Sequence, residues 1–87
     1  MKLTESDIKA KLHTFIKEYF VKDSKIVVKD HTSLLDESVL DSTGVIELVA
    51  YIETTFGINV KDEDIIPENF DSVNKLLNYV LVSLKDH

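Results

Sequence analysis

Apolar positions recur along this chain at helical spacing in three separate places. Ile8, Leu12, Phe15, Ile16, Tyr19 and Phe20 mark one face of a first helix spanning about residues 4 to 21. Thr4 with Asp7 three residues later reads as a capping box at its start. A second run, Val45, Leu48, Val49, Ile52 and Phe56, falls within one arc of a helix opening at Ser42. Asp41 is placed to cap it and Gly57 to end it in the left-handed region. Val73, Leu76, Leu77, Val80, Leu81 and Leu84 trace the last helix, with Asp71 or Ser72 as its cap.

The intervening segments are less regular. Residues 22 to 40 form a long connection whose β-branched triplet, Ile26 to Val28, has no period-two partner elsewhere. It reads as a loop held against the helices by Val27, Val28, Leu34 and Leu35. The run KDEDII reads as one short helical turn stopped by Pro67. The fold class is therefore all-α: three longer helices, one short third helix and a long first loop. Eighty-seven residues suit a single domain, 1 to 87, with little room for a buried catalytic pocket.

Charge changes this picture more than composition does. Residues 1 to 22 hold five lysines and three acids, a net of +2, whereas residues 23 to 87 hold five lysines and thirteen acids, a net of −8. Between Asp36 and Asp71 ten acids face Lys61 alone. Such a field disfavours nucleic acid and anionic membranes and favours basic protein partners. The chain has no cysteine, so it can form neither a disulfide nor a thiol nucleophile of its own. MKLTESDIKAKL lacks the apolar run of a signal peptide and no segment is long enough to insert into a membrane, so a cytoplasmic monomer is expected.

Ser42 is the residue that helix patterning leaves open. It follows an acid at a helix start, where unpaired backbone N–H groups and the positive end of the macrodipole favour a phosphate. The plain alternative is an unmodified first-turn serine. Gly44, two residues on, costs about 1 kcal/mol relative to alanine in a helix, so something besides propensity selects it. A hydrolase built on Ser42 would draw on His13, His31 or His87, but no nucleophile-elbow pattern accompanies the serine. The acids Asp62, Glu63 and Asp64 do not have the spacing of an EF-hand loop; no metal site and no catalytic residue are assigned.

From Leu34 to about Leu84 the chain resembles the acyl carrier protein family. The family motif, Asp-Ser-Leu before a Val-Glu-Leu-type run, corresponds to Asp41-Ser42-Thr43 and Ile46-Glu47-Leu48. The late acid with Phe-Gly corresponds to Glu53 and Phe56-Gly57, and the short acidic third helix to Asp62-Glu63-Asp64. The resemblance implies a small four-helix bundle that carries acyl or aminoacyl groups as thioesters. The carrying arm would be 4′-phosphopantetheine, taken from coenzyme A and attached to Ser42. Its thiol would supply the sulfur that a cysteine-free chain lacks.

The resemblance also implies partners: a phosphopantetheinyl transferase, an acyl- or aminoacyl-activating ligase or acyltransferase, and downstream enzymes. Asp41, Thr43, Ile46, Glu47 and Glu53, extended by Asp62, Glu63 and Asp64, would form the surface that docks on them. The chain would be a shuttle and not an enzyme. Thr43 replaces the family's usual leucine, Gly44 stands where fatty-acid carriers often have an acid, and Thr54 and Thr55 replace further acids. Leu-Asp-Ser-X-Gly forms resemble dedicated carriers: those paired with an adenylating ligase, D-alanyl carriers, or carriers of specialised pathways. The alternative from another class is a non-covalent acidic helical adaptor for basic partners, in which Ser42 is dispensable.

Overall fold

Helix α1 spans Glu5–Tyr19 in the computed structural model, which describes residues 4 to 23 and 25 to 85. Thr4 begins it with both halves of the capping box: Asp7 N–H donates to Thr4 Oγ1 at 3.1 Å, and Thr4 N–H donates to Asp7 Oδ2 at 3.2 Å. Helix α2 spans Ser42–Phe56 and ends on Gly57 at φ +68°, a conformation that glycine adopts without Cβ strain. A 3-10 turn at Asp62–Asp64 follows, then a short helix α3, Pro67–Phe70, and finally α4, Val73–Lys85. No strand occurs among the described residues.

The three apolar faces meet. Ile8, Leu12 and Ile16 of α1, Leu48 and Ile52 of α2, and Val73, Leu76 and Val80 of α4 are buried together around Leu34 of the long loop. Ile58 and Val60 close the core beneath the link that follows α2. The radius of gyration is 12.2 Å, against about 12 Å expected for a compact domain of this length. The three long helices, the short turn at Asp62–Asp64 and the long first loop follow the pattern of the sequence, while the short helix α3 does not figure in it.

Three details differ from the sequence reading, and one choice it left open is decided. Pro67 opens α3 instead of only ending the preceding turn, because a first-turn position needs no N–H and suits the fixed φ of proline. Ser72, not Asp71, caps α4: Lys75 N–H donates to Ser72 Oγ at 3.2 Å. Val27 and Leu35 do not pin the loop, since Val27 is 68% exposed and Leu35 is exposed as well, while Leu34 and half-buried Val28 turn inward. Tyr19, on the apolar stripe of α1, is 59% exposed and stacks on Phe15 with ring centroids 4.5 Å apart.

The loop is fastened to the start of α4, whose leading N–H groups need acceptors. Asn74 N–H donates to the Asp30 carbonyl at 2.9 Å. The Asp30 side chain reaches across to α1, pairing with Lys9 and with His13 Nε2, the latter at 2.6 Å. The Lys9 hydrogen bond first, and the His13 bond second, hold the Asp30 carboxyl below its ordinary value of 3.8. A carboxylate with a depressed pKa stabilises the fold above its unfolded value and loses that contribution as pH falls through the folded one. Asp30→Asn is therefore expected to melt below wild type at pH 6. The gap should close as the pH is taken below about 4, measured by paired thermal melts. Because Asp30 is partly exposed, the gap is small.

Candidate functional site

The site is built at the head of α2. Asp41 is extended, at φ −126° and ψ −177°, and its Oδ1 accepts from Gly44 N–H at 2.7 Å. That settles what Asp41 does for the helix, and it also bears on Ser42. With the cap supplied by Asp41, the Ser42 hydroxyl is not needed for capping. Ser42 is the first residue of the helix and is exposed. An ester group on its oxygen would lie in solvent, beside the N–H groups that open a helix.

Gly44 has a packing reason. A Cβ there would sit 3.1 Å from Phe20 Cε1, 3.3 Å from Asp41 Oδ1 and 3.3 Å from Leu40 Cδ1. The first turn of α2 is thus pressed against the end of α1, and a side chain at Gly44 would crowd the cap itself. This close approach holds the serine against a firm base.

Ile46 stands one turn beyond Ser42 on the same face and is 70% exposed, an unusual position for a large aliphatic residue. Asp41, Thr43 and Glu47 are exposed on the same end of α2, and Asp62 and Glu63 are exposed on the 3-10 turn. The other two acids expected on this surface have partners inside the fold. Glu53 Oε2 accepts from Val60 N–H at 2.9 Å and holds the link after α2. Asp64 Oδ2 accepts from Tyr79 Oη at 2.9 Å, tying the 3-10 turn to α4. Burial, and next the bond to Asp64, push the Tyr79 phenol above its usual value of 10.0.

An apolar cavity of about 90 Å³ opens between the loop, α2 and α3, lined by Leu35, Leu40, Val45, Ile66, Phe70 and Asp71. Leu40 and Val45, on either side of the Asp41–Ser42 step in sequence, contribute to its wall, and Ser42 itself does not line it. A cavity of about 150 Å³ is needed to take up benzene, which sets the scale. His13 is engaged with Asp30, and His31 is exposed in the loop; His87 lies outside the described residues. Among the described residues no cluster of His, Cys, Asp and Glu could hold a metal ion, and no helix is long and apolar enough to cross a membrane.

Ser42 is thus an exposed hydroxyl at a helix start whose cap is supplied by another residue. Residues 14–80 match the family described as phosphopantetheine attachment site, and the chain belongs to this family of phosphopantetheine-dependent carrier proteins. It is 33% identical over 76 residues to the D-alanyl carrier protein of Streptococcus suis (strain 05ZYH33), covering 86% of this chain and 92% of that protein. It is 32% identical over 74 residues to the D-alanyl carrier protein of Streptococcus sanguinis (strain SK36), covering 85% and 91%. The cofactor is covalent 4′-phosphopantetheine, whose thiol carries acyl or aminoacyl groups as thioesters.

Sequence reasoning had marked Ser42 and the acids around it. It missed Asp71, whose short-range role as a cap falls to Ser72, and it missed the internal partners of Glu53 and Asp64. No local signal announces these, because each partner is chosen by the packing.

Proposed function

We propose that Ser42 bears the phosphopantetheine arm and that the 87 residues act as one carrier domain for a small aminoacyl group, of which D-alanyl is the case named in the relatives. The observation that carries the site is the division of labour at the helix start: Asp41 caps, and the exposed Ser42 hydroxyl is left for chemistry. In the loading step the Ser42 oxygen forms a phosphodiester with the pantetheine phosphate. The pyrophosphate bond of coenzyme A breaks, the adenosine moiety leaves with the other phosphate, and the hydroxyl proton passes to the transferase.

The apolar cavity next to Leu40 and Val45 supports a small cargo. At about 90 Å³ it is too small for a long acyl chain, and a charged aminoacyl group has no reason to enter an apolar cleft. The cargo therefore stays at the end of the arm, in reach of the next enzyme. The docking surface for the transferase and the charging ligase comprises Thr43, Ile46, Glu47, Asp62 and Glu63, with Asp41 beside the serine. Ile46 supplies the apolar centre and the acids the charged rim. Dependence on coenzyme A supports a cytoplasmic location for the carrier.

The test is an intact-mass measurement of the full chain after incubation with coenzyme A and a promiscuous phosphopantetheinyl transferase. A gain of one phosphopantetheine per chain is expected. A folded, unloaded sample that gains nothing would leave the non-covalent adaptor as the better reading. Docking should also weaken with salt: association rates with a charging ligase fall steeply from low to physiological ionic strength, read by stopped flow. Rates that stay flat would remove the acids from the docking surface and leave Ile46.

A further inference from the structure

The second half of the loop, which delivers Asp41 and Ser42 to the head of α2, is fastened at Asp71. Ser33 Oγ donates to Asp71 Oδ2 at 2.6 Å, Leu35 N–H donates to Asp71 Oδ1 at 2.9 Å, and Leu34 N–H donates to the Asp71 carbonyl at 2.7 Å. Asp71 lies between α3 and α4, far from the serine in sequence. The stretch between this three-bond staple and the serine has little slack. Glu37 N–H bonds back to the Ser33 carbonyl at 3.1 Å, and the N–H groups of Val39 and Leu40 both bond to the Leu34 carbonyl, at 2.9 and 3.1 Å. Ser38 completes the turn at φ +57°, and Val39 and Leu40 are buried.

Resting on the assignment of the arm to Ser42, we propose that Asp71 is a positioning residue for it. The staple sets where the turn enters α2, and so where the serine stands relative to the docking surface. The other side of the same turn is held by the approach of Gly44 to Phe20, so the serine is located from two directions. The role is geometric. Both side-chain oxygens of Asp71 accept from neutral donors, and no cation pairs with it among the described residues. Asparagine at this position keeps the arrangement: its carbonyl accepts from Leu35 N–H, and its amide donates to Ser33 Oγ once that hydroxyl rotates. Alanine removes both side-chain bonds and leaves the Leu35 N–H without its partner.

The experiment measures the rate of arm transfer from coenzyme A by a phosphopantetheinyl transferase, over a range of carrier concentration, for wild type, Asp71→Ala and Asp71→Asn. Circular dichroism checks that each variant is folded. A misplaced serine lowers kcat at saturating carrier. A merely smaller folded fraction only raises the apparent KM. Asp71→Ala is expected to lose about tenfold or more in kcat, since small displacements of a reacting group are costly. Asp71→Asn is expected to stay within about threefold of wild type, because its hydrogen bonds survive.

Wild-type kcat for Asp71→Ala would overturn the proposal. So would an equal loss in Asp71→Asn, which would make charge the active feature. If Asp71→Ala does not fold, Ser33→Ala carries the test. It removes the 2.6 Å bond to Asp71 together with the 3.2 Å bond that Ser33 Oγ accepts from Asp36 N–H and leaves the Leu35 bond to Asp71, with an expected fall in kcat of about threefold, and an unchanged kcat there overturns the proposal. Failure of wild type to accept the arm at all would be a failure of the Ser42 assignment, and is read separately in the same assay.

Discussion

Ser42→Ala is expected to abolish loading and leave the fold intact. Incubated with coenzyme A and the transferase, the variant gains no mass while wild type gains one phosphopantetheine. The loss is complete because, among the described residues, no other exposed serine opens a helix behind a separate cap: Ser6 lies within α1, Ser38 lies in the turn of the loop, Ser72 is buried and caps α4, and Ser33 is engaged with Asp71. The neutral effect on folding follows from the same geometry. Ser42 is exposed and Asp41 makes the cap, so alanine removes no contact that the helix needs. Surface changes of this kind shift stability by no more than about 0.5 kcal/mol, or about 4 °C in Tm for a domain of this size. A variant that still took up the arm would show that another hydroxyl carries it. A variant that failed to fold would show that the serine has a structural job after all.

Leu48→Ala is expected to have the largest effect on stability. Leu48 lies on α2 behind the serine, fully buried among residues of the other helices and the loop. Truncating such a leucine costs about 2–5 kcal/mol through lost burial and the cavity left behind. A domain of this length has about 4–13 kcal/mol of stability in total. The variant should therefore melt roughly 10–30 °C below wild type by circular dichroism. Its function should fail by the same route, since α2 presents both Ser42 and Ile46. Ile46→Ala is the contrast on the opposite face. It is exposed, so the melt should move by only a few degrees while ligase docking weakens. A Leu48→Ala protein that melted like wild type would mean that α2 is not held by this core.

Taken together, these two residues separate what the helix presents from what holds it. Leu48 and Ile52 anchor α2, Asp41 and Gly44 fix its first turn, and Ser42 and Ile46 face outward on that fixed frame. A flexible arm is useful to successive enzymes only if its root is in a known place. With the arm on Ser42 as proposed, its root is set by neighbours in sequence and supported from afar, by Phe20 on one side and Asp71 on the other.

That division also explains how far the sequence could be read. The three long helices were legible because burial on one face imposes a 3.6-residue period on any sequence that forms them. The Thr4–Asp7 box, the Asp41 cap and the Gly57 end were legible because each is a bond, or a backbone conformation, within a few residues. The letters around Ser42 single it out, and it stands exposed at the start of α2. The reason for Gly44 was not legible, because it lies in Phe20, on another helix. Nor was the inward turn of Glu53 and Asp64, two acids that composition alone would assign to the surface. Val27 and Leu35 are hydrophobic by letter and exposed in fact, since which side of a loop faces the core is decided by where the loop is fastened. Local hydrogen bonds and helical periodicity are determined by neighbours in sequence, and the sequence determined those. The fastening at Asp71, the depth of the cavity and the fate of each acid depend on partners brought together only by packing, and the tertiary structure alone decided them.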